Sequence, residues 1–253
     1  MYHSVTFSLP DSSSSSGYKW RKNSYSDFHL VSDGRPVIPL PEPITKYIDV
    51  PGASGQLDIS ESLTNYPLYT SREGSINFIV LNDYGPEDNW SKRYQMISQH
   101  IHGRRLEMVL EDDPEYFYEG RFKIESWESP SDGPWSTLTI GFLLDSYKYW
   151  DELIDLPIPV DSTGTTLYFS HRIGNLGTMP AIPLIEVTQV SSQIEVTATN
   201  PEIFSGTVVH NINHAAMYQF QDIVLSDFDG ENTCSLRFKG NGYVRVYLRN
   251  GDL

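Results

Sequence analysis

The sequence predicts a mainly β fold of two β-sandwich domains, the first carrying one α-helix and an extended hairpin or arm. Three observations support this prediction. The 253 residues exceed the length of one typical domain. Short segments of alternating apolar and polar residues recur between turns rich in Gly, Pro, Asn and Asp. A single segment has a clear helical period. We place the domain boundary near Ser146, giving domains of residues 1–146 and 147–253.

The early part of the chain is expected to form an arm. A serine run, Ser12–Ser16, predicts a loop tip. In Val37–Pro43, alternating prolines exclude a helix and a central strand, so this segment should be extended and lie at an edge. Lys46–Val50 and Gln56–Ile59 then flank Pro51–Gly55, a turn whose glycines supply the positive φ of a tight reversal. This order predicts a hairpin or arm.

A helix is predicted over Trp90–His102. Apolar residues recur there at helical spacing and form one stripe of Trp90, Tyr94, Ile97 and Ile101. Asp88 or Asn89 is expected to cap the start of the helix, and Gly103 is expected to end it.

The remaining regular segments are predicted strands. In Ser75–Leu81, alternation places Ile76, Phe78 and Val80 on one face of a buried strand. After the helix, DDP and PSDGP turns separate three candidates: Leu106–Leu110, Tyr116–Trp127 and Thr137–Leu144. Leu153–Val160 is predicted to be a proline-punctuated connector. Beyond it the chain is predicted to be all β, with strands at Thr166–Phe169, Ile182–Val187, Ile194–Ala198, Thr207–Asn211, Ser235–Phe238 and Tyr243–Leu248.

Charge and composition limit the function classes. The net charge of −15 argues against a nucleic-acid-binding surface, which needs clustered Lys and Arg. No apolar stretch approaches the roughly 20 residues of a membrane helix, and the first residues lack a secretory signal pattern, so we expect a soluble protein made in a cytoplasm, with no membrane insertion. The single cysteine, Cys234, excludes an intrachain disulfide framework and a multi-cysteine zinc site, and is expected to be a small buried core residue.

An acidic cluster has the chemistry of a glycosidase or an oxygen-ligated metal site; it comprises Glu111, Asp112, Asp113, Glu115 and Glu119. A simpler interpretation is a turn between two strands, because Asp113 precedes Pro114 and Asp favours turns through local hydrogen bonds. The ligand ladder of a calcium loop is absent from the sequence.

Histidine pairs and nucleotide motifs give no stronger signal. His210 and His214 have the spacing that brings two imidazoles to one face of a helix, but the segment is predicted to end a strand, and the sequence suggests no third ligand. For the pair His100 and His102, too, the sequence suggests no third ligand. GxSxG, GxGxxG and GxxxxGK[ST] motifs are absent from the sequence. We therefore expect no enzymatic activity, no metal and no cofactor.

Aromatic residues make up 13% of the chain, and exposed aromatics occur both at protein interfaces and on sugar-binding platforms. Four of the five tryptophans, Trp20, Trp90, Trp127 and Trp135, precede the second domain, and Trp150 lies at its start. The sandwich itself therefore lacks the ring most often used for stacking on sugars, which weakens a lectin hypothesis without excluding it, since tyrosines remain.

Three motifs occur in order between Tyr25 and Tyr149: IPLPEP to PGASGQLDISE, DDPEYFYEGRF, and DSYKYW. Their order and spacing resemble the distal tail proteins (Dit) of long-tailed bacteriophages, the siphoviruses. The resemblance covers about half of the chain, and none of the motifs is a catalytic signature. A weaker likeness lies in Asn175–Val187, which resembles the opening of the second domain of that family.

The resemblance implies a structural virion protein at the distal tip of the phage tail. In that family the N-terminal domain forms a hexameric ring that joins the tail tube protein to the tip or baseplate proteins, including fibre or lysin proteins. The C-terminal domain is a galectin-like sandwich, but HNINH, at 210–214, matches the galectin sugar-binding set only superficially. If DNA passes through the ring, an acidic lumen would keep phosphates from binding during ejection.

A ring requires neighbouring subunits to share surfaces, and an extended arm is suited to lie on a neighbour. The candidate subunit-interface residues on the predicted arm are Pro39, Pro41, Pro43, Tyr47, Gly52 and Gly55. An equally open alternative is that these segments cover their own sheet, since prolines also protect sheet edges from pairing.

Two other functions remain open from sequence. One is a carbohydrate-binding module that attaches a virion or an enzyme to the host cell surface through the second sandwich. The other is a glycoside hydrolase that uses the acidic cluster, which would require two suitably placed carboxylates.

Overall fold

The structure is a computed structural model that describes residues 3–10, 18–52, 54–62, 64, 66–81, 90–128, 135–158, 164–170, 172, 174, 176–190, 193–201, 206–227 and 233–253. The chain divides into two compact units. Unit 1 contains Met1–Pro43 and Tyr69–Lys148, and unit 2 contains Ile44–Leu68 and Tyr149–Leu253. The limits of the two domains expected from sequence, 1–146 and 147–253, stay a prediction.

The regular elements follow one another along the chain as β1 (Val5–Pro10), β2 (Tyr18–Asn23), β3 (Leu30–Ser32), β4 (Tyr47–Asp49), β5 (Gln56–Asp58), β6 (Arg72–Leu81), α1 (Trp90–Ile101), β7 (Arg105–Leu110), β8 (Asp113–Glu128), β9 (Trp135–Ile158), β10 (Thr165–Phe169), β11 (Leu184–Val190), β12 (Ile194–Thr199), β13 (Thr207–Ile212), β14 (Ala216–Tyr218), β15 (Cys234–Lys239) and β16 (Gly242–Asp252). The predicted fold class, mainly β with one helix in the described residues, is confirmed.

In unit 1 the strands join edge to edge in the order β3, β6, β9, β8, β7, β1, β2. The predicted face of β6 is confirmed, because Ile76, Phe78 and Val80 are at most 3% exposed. Aromatic rings fill the centre of this core, with Phe7 and Phe122 in edge contact at 5.3 Å between ring centroids. Such a core removes a large apolar area from water and holds the sheet rigidly.

The helix α1 packs on this sheet through its predicted stripe. Ile97 and Ile101 are fully buried, whereas Tyr94 is half exposed and places its ring 5.2 Å from that of Trp127. The predicted end is confirmed: Gly103 has a φ of 73° and its N–H donates to the Phe122 carbonyl at 2.8 Å. Within the described residues, no helix has the length and apolar character needed to cross a membrane.

Unit 2 contains a β sandwich. One sheet has the order β14, β11, β16, β9, and the other has the order β10, β15, β12, β13. Alternate residues of β12, β15 and β16 enter the core between the sheets, which includes Ile194, Leu236 and Val246. Cys234 is fully buried in this core, as predicted.

The connector prediction for Leu153–Val160 is wrong in its first part, because β9 continues to Ile158. The segment keeps a β-type alternation, with Ile154, Leu156 and Ile158 at every second position, and this period outweighs its proline signal. Three early strands, β1, β2 and β3, were not predicted. The predicted loop tip Ser12–Ser16, the helix caps Asp88 and Asn89, and the PSDGP turn lie outside the described residues.

Candidate functional site: an exposed apolar arm

The arm is the segment Ile44–Leu68, and its base is the proline segment Val37–Pro43. Backbone hydrogen bonds align the two ends of the arm: the Ile44 N–H donates to the Leu68 carbonyl at 2.7 Å, and the Thr70 N–H donates to the Glu42 carbonyl at 2.9 Å. Pro43 forms an isolated bridge with Tyr69. These hydrogen bonds hold the first and last residues of the arm side by side.

Strands β4 and β5 form the predicted hairpin. Their register pairs Tyr47 with Asp58, Ile48 with Leu57, and Asp49 with Gln56. Gly52 and Gly55 have φ values of 83° and 104°, so the turn glycines adopt the positive φ predicted for them. Among the described residues, no third strand pairs with β4 or β5.

The arm exposes more apolar surface than an isolated hairpin can support. The exposed fractions are 51% for Tyr47, 41% for Ile48 and 52% for Leu57, and Ile44 and Val50 are exposed to a similar degree. A two-stranded hairpin without a covered face is marginally stable in water. Contiguous exposed apolar side chains commonly mark interaction surfaces. The arm is therefore a candidate interaction surface.

Polar groups stabilise the hairpin from its open end. The Lys46 N–H donates to the Ser60 Oγ at 2.7 Å, and the Ser60 hydroxyl in turn donates to the Asp58 carboxylate at 2.5 Å. The Ser60 N–H donates to the same carboxylate oxygen at 2.9 Å. The Ser60 hydroxyl, followed by its N–H, lowers the pKa of Asp58 because both bonds favour the ionised form.

The base of the arm is held by a buried arginine of unit 1. Arg72, 3% exposed, donates from Nε to the Ser146 carbonyl at 2.8 Å and from a terminal nitrogen to the Pro39 carbonyl at 3.3 Å. Its guanidinium lies 5.6 Å from the centroid of the Tyr118 ring. Burial raises the pKa of Tyr118, which keeps its hydroxyl neutral. Arg72 thus fixes the position of the proline segment at Pro39.

The six residues predicted for the subunit interface all lie on the arm or its base. Pro39, Pro43 and Tyr47 are exposed, and the two glycines lie at the turn. Pro41, by contrast, is buried within its own chain, which agrees with the alternative that part of the segment covers its own sheet. Contact with a neighbouring subunit stays a prediction for all six.

Sequence reasoning missed the apolar residues that dominate the surface of the base and the arm. Val37 and Leu40 are each 75% exposed, the highest fractions among the large apolar side chains described. Ile48 and Leu57 form a directly opposed exposed pair in the hairpin. The available signal was the occurrence of apolar residues in a segment that its prolines keep from joining a sheet.

In the described residues, four of the five carboxylates of the acidic cluster contact cations or a backbone group. Asp112 contacts His3 and Arg35, each at 2.9 Å, and Glu111 accepts from the Ser4 N–H at 2.7 Å. Asp113 pairs with Lys148 and Glu119 pairs with Arg105. The side chains are thus spread over several partners.

The histidine pairs do not converge. His210 stacks on Phe220, with 4.0 Å between ring centroids, and contacts Asp222 at 2.9 Å, whereas His214 contributes its backbone carbonyl to the Tyr218 hydroxyl. His100 contacts the Met96 carbonyl. Within the described part of the chain, no group of three His, Cys, Asp or Glu residues is arranged to hold a metal ion.

Comparison with known proteins gives a structural match but no sequence match. No protein-family model and no curated protein matches the chain. The fold is similar to the crystal structure of Dit from phage SPP1, described as a paradigm of the hub adsorption apparatus in phages that infect Gram-positive bacteria. The match has a TM-score of 0.58 and 14% identity, and it covers 98% of this chain and 99% of that chain.

Proposed function

We propose that this protein is a structural hub of a phage tail tip, in which six copies close into a ring between the tail tube protein and the tip or baseplate proteins. The fold similarity to a hub adsorption protein supports the tail assignment, because it extends over nearly the whole of both chains. The tail assignment requires no catalytic site, and it agrees with the ordered motifs between Tyr25 and Tyr149.

The observation that carries the proposal is the exposed arm. All six residues of β4 and β5 are exposed, although Tyr47, Ile48 and Leu57 are apolar. Covering these side chains on a neighbour would recover roughly 25 cal/mol for each Å² of apolar surface removed from water. A net charge of −15 opposes association of identical chains, so apolar and backbone contacts must supply the attraction.

The test is the mass of the purified protein in solution. Light scattering is expected to give about six times the 28.8 kDa mass of the chain, and electron micrographs are expected to show rings. A protein that stays monomeric at every accessible concentration, both alone and mixed with its tail tube and tip proteins, would contradict the proposal.

A further inference from the structure

A cleft lies on the sheet of the unit 2 sandwich that has the order β14, β11, β16, β9, and none of the described residues that line it belongs to the arm. Its volume is about 460 Å³, within the range of small-molecule sites. The residues that line it are Asp151, Ile182, Leu184, Gln219, Tyr247, Leu248 and Arg249. The lining thus combines one aromatic ring, one primary amide, one carboxylate, one guanidinium and three aliphatic side chains.

Strand pairing brings the aromatic and aliphatic parts of this lining together. Tyr247 of β16 lies directly opposite Leu184 of β11 in the antiparallel register. Both are half-buried and lie on the face opposite the sandwich core, because their neighbours Val246 and Ile185 are fully buried. The cleft therefore has an apolar surface next to an aromatic ring.

The ring of Tyr247 is held in place by a hydrogen bond. Its hydroxyl donates to the Glu186 carboxylate at 2.6 Å, and Arg245 lies 3.6 Å from the same carboxylate oxygen. The bond to Glu186, with partial burial, raises the pKa of Tyr247, so the phenol stays protonated at neutral pH. A ring with a fixed hydroxyl loses little conformational freedom on binding a ligand.

The charges at the cleft are internally paired. Arg249 Nε lies 3.1 Å from the Asp151 carboxylate, and Arg245 and Glu186 form a second pair beside Tyr247. Neither a cationic nor an anionic ligand would meet an excess of opposite charge. These groups and the Gln219 amide nevertheless offer hydrogen-bond donors and acceptors to a neutral polar molecule.

We propose that this cleft binds a neutral saccharide unit of a cell-surface glycan. A sugar ring has one apolar C–H face, suited to Tyr247 and Leu184, and a rim of hydroxyl groups that are both donors and acceptors, suited to Gln219, Asp151 and Arg249. Because a monosaccharide is small and buries little surface on binding, we expect a dissociation constant on the order of 1 mM. The inference does not rest on ring formation, because no described residue of the arm lines the cleft.

Saturation-transfer NMR on the full chain tests this inference with glucose, galactose, rhamnose, N-acetylglucosamine and N-acetylgalactosamine as probes. At least one neutral sugar is expected to bind, and Y247A and Q219A are each expected to weaken that binding at least about tenfold. Gln219 is exposed, so Q219A keeps the test valid if Y247A fails to fold. The matched control is Y168A, which removes a tyrosine that is 60% exposed on β10 of the other sheet and should leave binding unchanged.

The inference fails if none of the five sugars binds, or if Y168A weakens binding as much as Y247A does. It also fails in its choice of a neutral ligand if glucuronic acid binds more tightly than the neutral sugars and its binding falls steeply as salt is added. Light scattering on the same samples separates this result from the ring. A hexamer that binds no sugar refutes only the cleft, and a monomer that binds sugar refutes only the ring.

Discussion

Arg72 donates a hydrogen bond to the carbonyl of Ser146 across 74 positions of sequence, at 2.8 Å. The same side chain reaches the Pro39 carbonyl, so one buried cation satisfies two carbonyl groups at the base of the arm. We expect R72M to lower the free energy of unfolding by about 2 kcal/mol or more, because it leaves these carbonyls without a donor. Urea denaturation measures the change.

The matched control for this arginine is R104M, at an exposed position of the same unit. Its effect is expected to stay within about 0.5 kcal/mol. Equal effects of the two substitutions would contradict the structural role given to Arg72.

The opposed pair Ile48 and Leu57 is expected to decide assembly. The double substitution I48D/L57D places two like charges opposite each other on the arm and should abolish the ring while leaving the thermal transition of the sandwich near that of the wild type. The control V209D/Y168D makes the same charge change at exposed residues of the sheet formed by β10, β15, β12 and β13, and it should keep the ring. Light scattering distinguishes the outcomes, and a ring that survives I48D/L57D would exclude the arm from the interface.

Gly120 is expected to tolerate no side chain. A Cβ there would meet the Leu143 carbonyl oxygen and would lie 2.5 Å from the Leu144 Cα, both backbone atoms of the neighbouring strand. We expect G120A to destabilise the protein by more than about 2 kcal/mol, because the backbone must move. G206A, at a glycine with nothing within 4 Å of its Cβ position, should be neutral or slightly stabilising. Thermal unfolding of both variants checks the prediction, which is wrong if they melt together.

Asp58 is expected to titrate below the ordinary carboxyl pKa of 3.8, and S60A is expected to raise its pKa again by removing the hydroxyl donor. Because the folded pKa is the lower one, the stabilisation from the ionised carboxylate is present above 3.8 and is lost as the pH falls through the folded value. NMR titration of the Asp58 side chain measures both values. S62A, which removes a hydroxyl bonded to the Ile59 carbonyl, serves as the control and should leave the Asp58 pKa unchanged.

Cys234 is expected to resist thiol reagents until the sandwich unfolds. It is fully buried, its thiol donates to the Ser226 carbonyl at 2.6 Å, and its sulfur accepts from the Ser226 N–H at 3.2 Å. Labelling with a thiol reagent should therefore be negligible in buffer and complete in denaturant. Rapid labelling of the native protein would contradict this burial.

The sequence was sufficient for elements whose own alternation or helical period is strong. The buried face of β6 and the turn glycines of the arm followed from residue type alone. Strand β2, YKWRKN, could not be predicted because four of its six residues are polar or charged, and its pairing depends on β1. The burial of Pro41 between the exposed Pro39 and Pro43 could not be predicted either, because period-two alternation places all three on the same side and only packing decides which of them is covered.

The short length of β4 and β5 limits which proteins can bind the hairpin stably. Each strand has three residues, so a strand of an unrelated protein could form only a few backbone hydrogen bonds with the edge of the hairpin. An encounter of that kind is expected to dissociate quickly. Only a surface that also packs against the side chains of Tyr47, Ile48 and Leu57 would bind the hairpin stably. Selection of the correct neighbour would therefore depend on shape complementarity and not on backbone pairing at an open sheet edge.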